Sequence, residues 1–202
     1  NLGIKGLALW SNGFKQMTSD IRPIKASKDF LGQSFRIMPS PIIEEQFTRL
    51  GAYPEIAPFD ELYIALQEEE FDGQENTISN IYSRRVYKLQ HYMTISNHGF
   101  LGYVVLINQE FWEGLPKDIR ISLKEAMDET TSWNLEESKK MNAEQLQRIE
   151  QESSIDIYEL SEQERLEWYK ELKPVYHTFL QSVNEDYIQD FIRQRIEFSE
   201  TH

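Results

Sequence analysis

Short apolar runs alternate along the chain with longer amphipathic stretches, and the two periods separate strands from helices. Gly6-Leu7-Ala8-Leu9-Trp10 predicts a buried strand, and Phe35-Arg36-Ile37-Met38 predicts a second. Between them, Ser11 to Ser34 is polar and is punctuated by Asn12-Gly13 and Arg22-Pro23, which predicts a connection. The second strand runs into Pro39-Ser40-Pro41. Ser40 as N-cap and Pro41 at the first helical position open a helix with Ile43, Phe47 and Leu50 on one face, and Gly51 stops it. Two further helices are predicted, over Asp60 to Glu69, before the Asp72-Gly73 turn signal, and over Ile78 to Gln90, where Ile78, Ile81, Tyr82 and Val86 recur at helical spacing. Tyr103 to Asn108 is continuous, apolar and β-branched, as expected of a strand buried on both faces of a largely parallel sheet. Strands alternating with helices in this order make the chain α/β.

Beyond Leu115-Pro116 the pattern changes. Pro116 to about Ser153 holds no further glycine or proline and reads as one long helix, or two separated by a bend, with Ile119, Leu123, Ala126 and Met127 on one face. A helix of that length spans roughly 50 Å and is expected to brace more than one structural unit. Ile155 to Tyr158 predicts an edge strand. Ser161-Glu162-Gln163-Glu164 opens a helix that Pro174 is expected to kink or split, and Tyr187 to Phe198 predicts a last amphipathic helix. The apolar run at Gly6 begins so abruptly that further sequence is expected before Asn1.

Charge narrows the function classes. With 34 acidic against 21 basic side chains the net charge is −13, the opposite of a nucleic-acid footprint. The excess is uneven: residues 1–101 hold 10 basic and 12 acidic groups, residues 102–202 hold 11 and 22. An anionic small molecule therefore fits better in the first half, near Lys15, Arg22 and Arg36. There is no cysteine, which excludes disulfides, thiolate metal sites and cysteine nucleophiles. No apolar run is long enough to span a bilayer, and the first residues have no signal-peptide character.

Arg36 is the most suggestive side chain. It ends a short strand just before a helix whose free N–H groups begin near Ser40, and a guanidinium beside a helix N-terminus suits a carboxylate or phosphate. A surface arginine or structural ion pair is the competing reading. Asp72-Gly73-Gln74-Glu75-Asn76 places two carboxylates and two amides together. An acid–base pair can be imagined there, but a turn whose polar groups cap nearby backbone is the simpler reading. His91, His98, His177 and His202 show no metal-ligand spacing, and His98 reads as a structural histidine. Hydrolase, NTPase and dinucleotide motifs are missing, so nothing positions a nucleophile or cofactor for an enzyme acting through Asp72 and Glu75. Trp10, Phe14, Phe59 and Tyr63 are candidate pocket walls or core.

Several segments together resemble the substrate-binding proteins of TRAP transporters, in the C4-dicarboxylate-binding (DctP-type) branch. They are Trp10-Ser11-Asn12-Gly13-Phe14-Lys15-Gln16, the Gly32 to Pro39 segment with Arg36, Phe59 to Gln67, Asp72 to Asn76, Ser79 to Tyr82, and Asn97 to Tyr103 with Phe111-Trp112. The resemblance runs through nearly the whole chain in family order. It implies a two-lobe periplasmic-binding-protein-like α/β fold that closes on a carboxylate, here lacking most of the N-terminal lobe, with the long helix bracing both lobes. Residues 1–97 would be the second ligand-binding lobe, 98–153 the crossing strand and long helix, and 154–202 a C-terminal strand and helices packed on the lobes.

Carried over by position, the resemblance makes Arg36 the carboxylate clamp, Asn76 an amide partner and Phe59 an aromatic wall. Lys15 stands where many members have a second arginine, and Trp10, Ser40 and Asn12 are weaker carry-overs. No metal or cofactor is implied. The partners implied are a small dicarboxylate, the missing lobe, and a membrane TRAP permease or, alternatively, a receptor kinase for which the protein senses ligand. A sugar acid or another carboxylate is an alternative ligand. The place implied is extracytoplasmic: the periplasm, or a lipid anchor at the outer face of a Gram-positive membrane.

Overall fold

Strand β1 (Ile4–Ser19) is 16 residues long and runs through Ser19, well into the stretch expected to be a connection. Asn12-Gly13 is not a turn within it. The pair coincides with a register shift against the neighbouring strand, and Gly13 sits at φ 142°. A Cβ on Gly13 would lie 2.9 Å from the Asn142 amide nitrogen, which donates to the Asn12 carbonyl at 2.7 Å. Beyond the bulge β1 alternates Lys15 and Met17 on one face with Gln16 and Thr18 on the other, all buried.

The computed structural model describes residues 2–180. The helix expected over Tyr187 to Phe198 lies outside the described residues. β2 (Ser34–Ile37) leads into α1 (Pro41–Arg49), with Ser40 in the extended N-cap conformation but making no side-chain cap bond. β3 (Tyr53–Ile56) and α2 (Leu62–Gln67) follow; Pro54 hid β3 in the sequence, and an edge strand tolerates it.

Asp72 to Asn76, expected as a turn, instead opens β4 (Gly73–Thr77), whose five residues are all buried. Gly73 is there for space: a Cβ would overlap the Thr18 carbonyl oxygen and come within 2.6 Å of the Phe35 ring. Asp72 ties this strand start to β2, its Oδ2 accepting from the Ser34 N–H at 2.7 Å and Oγ at 3.1 Å.

The helix expected over Ile78 to Gln90 is α3 (Ile78–Ser83), capped by Thr77 and ended by Arg85 in the left-handed region, with a separate 3-10 turn at Val86–Lys88. β5 (Tyr92–Asn108), α4 (Gln109–Gly114), α5 (Lys117–Glu152), β6 (Asp156–Glu159) and α6 (Glu162–Leu180) complete the described chain. α5 is a single helix of 36 residues. α6 runs through Pro174 without being split.

The six strands form one mixed sheet in the order β3-β2-β4-β1-β5-β6. β1 is antiparallel to both β4 and β5, which corrects the expectation of a largely parallel sheet. On one face Met17, Phe35 and Ile37 pack with Phe30, Phe47 and Trp168 under α1 and α6. The Phe30 ring lies 5.5 Å from Phe35 and 5.1 Å from Trp168. Burying each such side chain contributes roughly 1.5–3 kcal/mol. On the other face Met93 packs with Leu62, Leu66, Ile81 and Ile149 of α2, α3 and α5.

The far half of β5 is not buried on both faces as expected. Val104 and Leu106 are exposed, and so are Ile119 and Leu123 of α5. That half of β5 pairs with β1 alone, since β6 reaches only as far as Ile95.

Candidate functional site

Arg36 occupies the third position of β2, opposite Gln74 of β4 and Glu55 of β3. The alternation that turns Phe35 and Ile37 into the α1 core sends Arg36 to the other face. It therefore does not meet the α1 N-terminus, which corrects the expected pairing of this guanidinium with the helix start at Ser40. Instead its Nε and Nη2 both donate to the Ala57 carbonyl, at 2.9 and 2.6 Å. The side chain is 3% exposed, and no carboxylate among the described residues lies within ion-pair distance. Burial pushes its pKa down from the ordinary value, partly opposed by the charge of Glu75. A buried cation whose hydrogen bonds among the described residues go to a neutral carbonyl is able to take an anion as partner.

Asn76 shares that face. It stands two residues beyond Gln74 on the neighbouring strand, about 8 Å from Arg36 by strand spacing and rise. Its Oδ1 accepts from Asn80 Nδ2 at 2.7 Å and from the Thr77 N–H at 3.1 Å. Its own amide N–H₂ makes no hydrogen bond among the described residues and so remains a donor. Phe59 is half-buried beside them, its ring centroid 6.0 Å from the Arg36 guanidinium carbon. The structure thus brings together Arg36, Asn76 and Phe59. To them it adds Arg84, which no motif marks in the sequence and whose guanidinium carbon lies 4.5 Å from the same ring.

Lys15 leaves β1 on the opposite face. Its Nζ lies 2.9 Å from Glu75 Oε1 and 2.6 Å from Oε2, and 2.9 Å from the Met38 sulfur. His98 Nε2 approaches the same carboxylate at 3.8 Å, while its Nδ1 is 2.7 Å from Ser96 Oγ. Burial alone would push the Glu75 carboxyl up; the nearby His98 ring and the Lys15 ammonium outweigh it and hold the group below its ordinary value. Glu75 is therefore an ion-pair partner, and Asp72 is engaged with Ser34, so the two do not form an acid–base pair. Lys15, Glu75, His98 and Ser40 line a cavity of about 470 Å³ with Phe100 and Tyr176.

Asn12 is engaged within the chain: its Oδ1 accepts from Thr77 and Ser79, and its Nδ2 donates to Tyr103. Trp10 donates to Thr131 of α5 at 3.1 Å. It lies six residues from Gln16 along β1, about 20 Å from the Arg36 group. Trp10 is not brought to that group, whereas Asn12 is bonded to Thr77, the residue that follows Asn76. Gln16, missed in the sequence, fixes β5: its Oε1 accepts from the Ser96 and Asn97 N–H groups, and Asn97 has φ 48°.

The pattern of the family described as "Bacterial extracellular solute-binding protein, family 7" matches residues 1–182. The chain is 46% identical over 192 residues to the C4-dicarboxylate-binding protein DctB of Bacillus subtilis, covering 95% of this chain and 55% of that one. It is 39% identical over 186 residues to the C4-dicarboxylate-binding periplasmic protein DctP of Rhodobacter capsulatus, covering 92% and 56%. A TRAP periplasmic solute-binding protein from Shewanella oneidensis, solved with bound succinate, superposes with a TM-score of 0.85 at 39% identity, covering 93% of this chain and 61% of that one. One from Pseudomonas aeruginosa with bound L-malate gives 0.82 at 33%, covering 87% and 61%. The chain spans about half the length of these sequence relatives.

Proposed function

The chain belongs to bacterial extracellular solute-binding protein family 7, and from that membership we propose that it is part of a non-enzymatic, extracytoplasmic binding protein. The protein captures a C4-dicarboxylate such as succinate, fumarate or malate and hands it to a TRAP-type membrane transporter. One observation carries the reading: among the described residues Arg36 is buried with no carboxylate partner, on the same sheet face as an Asn76 amide whose N–H₂ has no acceptor among them. A carboxylate between them would accept charge-assisted bonds from the guanidinium edge and a third bond from the amide. Phe59 walls this group, and Ala57 holds the guanidinium in place.

The preference for C4 acids follows the relatives. Four named for C4-dicarboxylates are 46%, 39%, 36% and 37% identical, whereas those named for ectoine and for 2,3-diketo-L-gulonate are 30% and 29% identical. The exposed apolar side chains of β5 and α5 fit a second lobe of the same protein, which would close the cleft.

Titration calorimetry on the protein as its gene encodes it tests the reading. Succinate, malate or fumarate is expected to bind, and Arg36→Ala to weaken binding by about 100-fold or more, the loss of two charge-assisted hydrogen bonds. Unchanged binding in Arg36→Ala would remove Arg36 as the clamp. Binding of none of the three acids would overturn the C4 assignment.

A further inference from the structure

We propose that Arg84 holds the second carboxylate of the ligand and makes the site selective for dianions, an inference that rests on Arg36 holding the first. Arg84 follows α3 directly, its N–H bonded to the Asn80 carbonyl, and the left-handed Arg85 turns the chain away after it. Its guanidinium lies over the Phe59 ring, 4.5 Å from the centroid, and that of Arg36 lies 6.0 Å from the same centroid. The two guanidinium carbons are therefore at most about 11 Å apart. A four-carbon diacid gripped at both ends bridges up to about 12 Å, with roughly 4 Å of each contact in the bidentate hydrogen bonds.

Arg84 is also available. Among the described residues its side chain makes no hydrogen bond and no ion pair, although the chain carries 34 acidic residues. It does make a cation–π contact with Phe59. Glu55 stands in register with Arg36 but is exposed and ion-paired with neither arginine. Lys15, the position where the family resemblance places the second cation, is committed to both oxygens of Glu75 on the opposite face. A monoanion at Arg36 leaves Arg84 without a partner; a dianion satisfies both.

The test compares succinate with its monoamide, succinamate, by calorimetry on the protein as its gene encodes it. The unaltered protein is expected to bind succinate about 10-fold or more tighter than succinamate, the scale of one charge-assisted contact. Arg84→Gln is expected to abolish that preference by weakening succinate alone, and Arg84→Lys to keep part of it. Equal weakening of both ligands in Arg84→Gln would make Arg84 a support for the Phe59 ring and overturn the proposal, as would no change in either. If Arg36→Ala leaves both ligands bound, the underlying carboxylate reading fails instead.

Discussion

Three buried or half-buried cations near the sheet differ in what faces them. Arg36 meets a carbonyl, Arg84 an aromatic ring, and Lys15 a carboxylate. Among the described residues only the third meets an opposite charge; on the proposed reading the first two are left for a ligand, and Lys15 contributes to stability. Removing one partner of a buried ion pair leaves the other charge uncompensated and costs about 3–5 kcal/mol. Glu75→Gln is expected to lose stability on that scale at pH 7, measured by denaturant unfolding. The sign of its pH dependence follows from the lowered carboxyl pKa. The contribution of Glu75 is fully present above the ordinary carboxylate range, near about pH 4.3, and is lost as pH falls through the depressed value of the folded protein. Thermal melts between neutral and strongly acidic pH should therefore show an acid limb that is shallower in Glu75→Gln. An unaltered limb would mean that other carboxylates govern acid unfolding.

At the scale of elements, what was legible in the sequence was whatever had an uninterrupted period. α5 was visible because 36 residues hold no breaker after Pro116, and β6 because Ile155 to Tyr158 alternates. Two of the misreadings fall where glycine serves close approach and not a turn. Asn12-Gly13 and Asp72-Gly73 carry the local signature of turns, yet one lies in a bulged strand against Asn142 and the other begins the buried strand β4. Local chemistry cannot reveal that a second strand or a helix side chain fills the space. The site suffered the same way. Arg36 was singled out by its place before a helix and Asn76 and Phe59 were proposed from family resemblance, but the face each occupies depends on strand register, and Arg84 follows α3, which stops at Ser83.

The difference between the two uses of glycine is measurable. Gly73→Ala should cost about 3 kcal/mol or more, since neither the Thr18 carbonyl nor the packed Phe35 ring can yield. Gly114→Ala, in the helical α4 with nothing near a new Cβ, should be neutral or stabilising by roughly 0.5–1 kcal/mol. Denaturant midpoints compare the two. Equal effects would show that Gly73 is not required for space.

On the scale of the whole molecule, a well-packed lobe continues into a strand pair and a helix whose apolar side chains are left uncovered. Leu9 is 73% exposed, Val104 58%, Leu106 53% and Trp133 62%. These residues belong to the outer half of the β1–β5 pair and to α5, which packs along β1. Isolated exposed hydrophobics need no explanation, but a set spread over three neighbouring elements is a surface that favours association. If, on the proposed reading, a longer form of the protein carries a second lobe that packs there, the 202-residue chain alone should self-associate with rising concentration in sedimentation experiments, and should bind a hydrophobic dye. Such a longer form should do neither. Val104→Glu combined with Leu106→Glu should shift the short chain toward monomer without lowering its unfolding midpoint, because both side chains already stand in solvent. Only the longer form should bind succinate tightly, since a cleft open on one side leaves the ligand in water, where charge-assisted bonds are weak. A short chain that stays monomeric at high concentration, binds no dye and holds succinate as well as the long form would show that this lobe is sufficient by itself, with the apolar faces of β5 and α5 needing no cover.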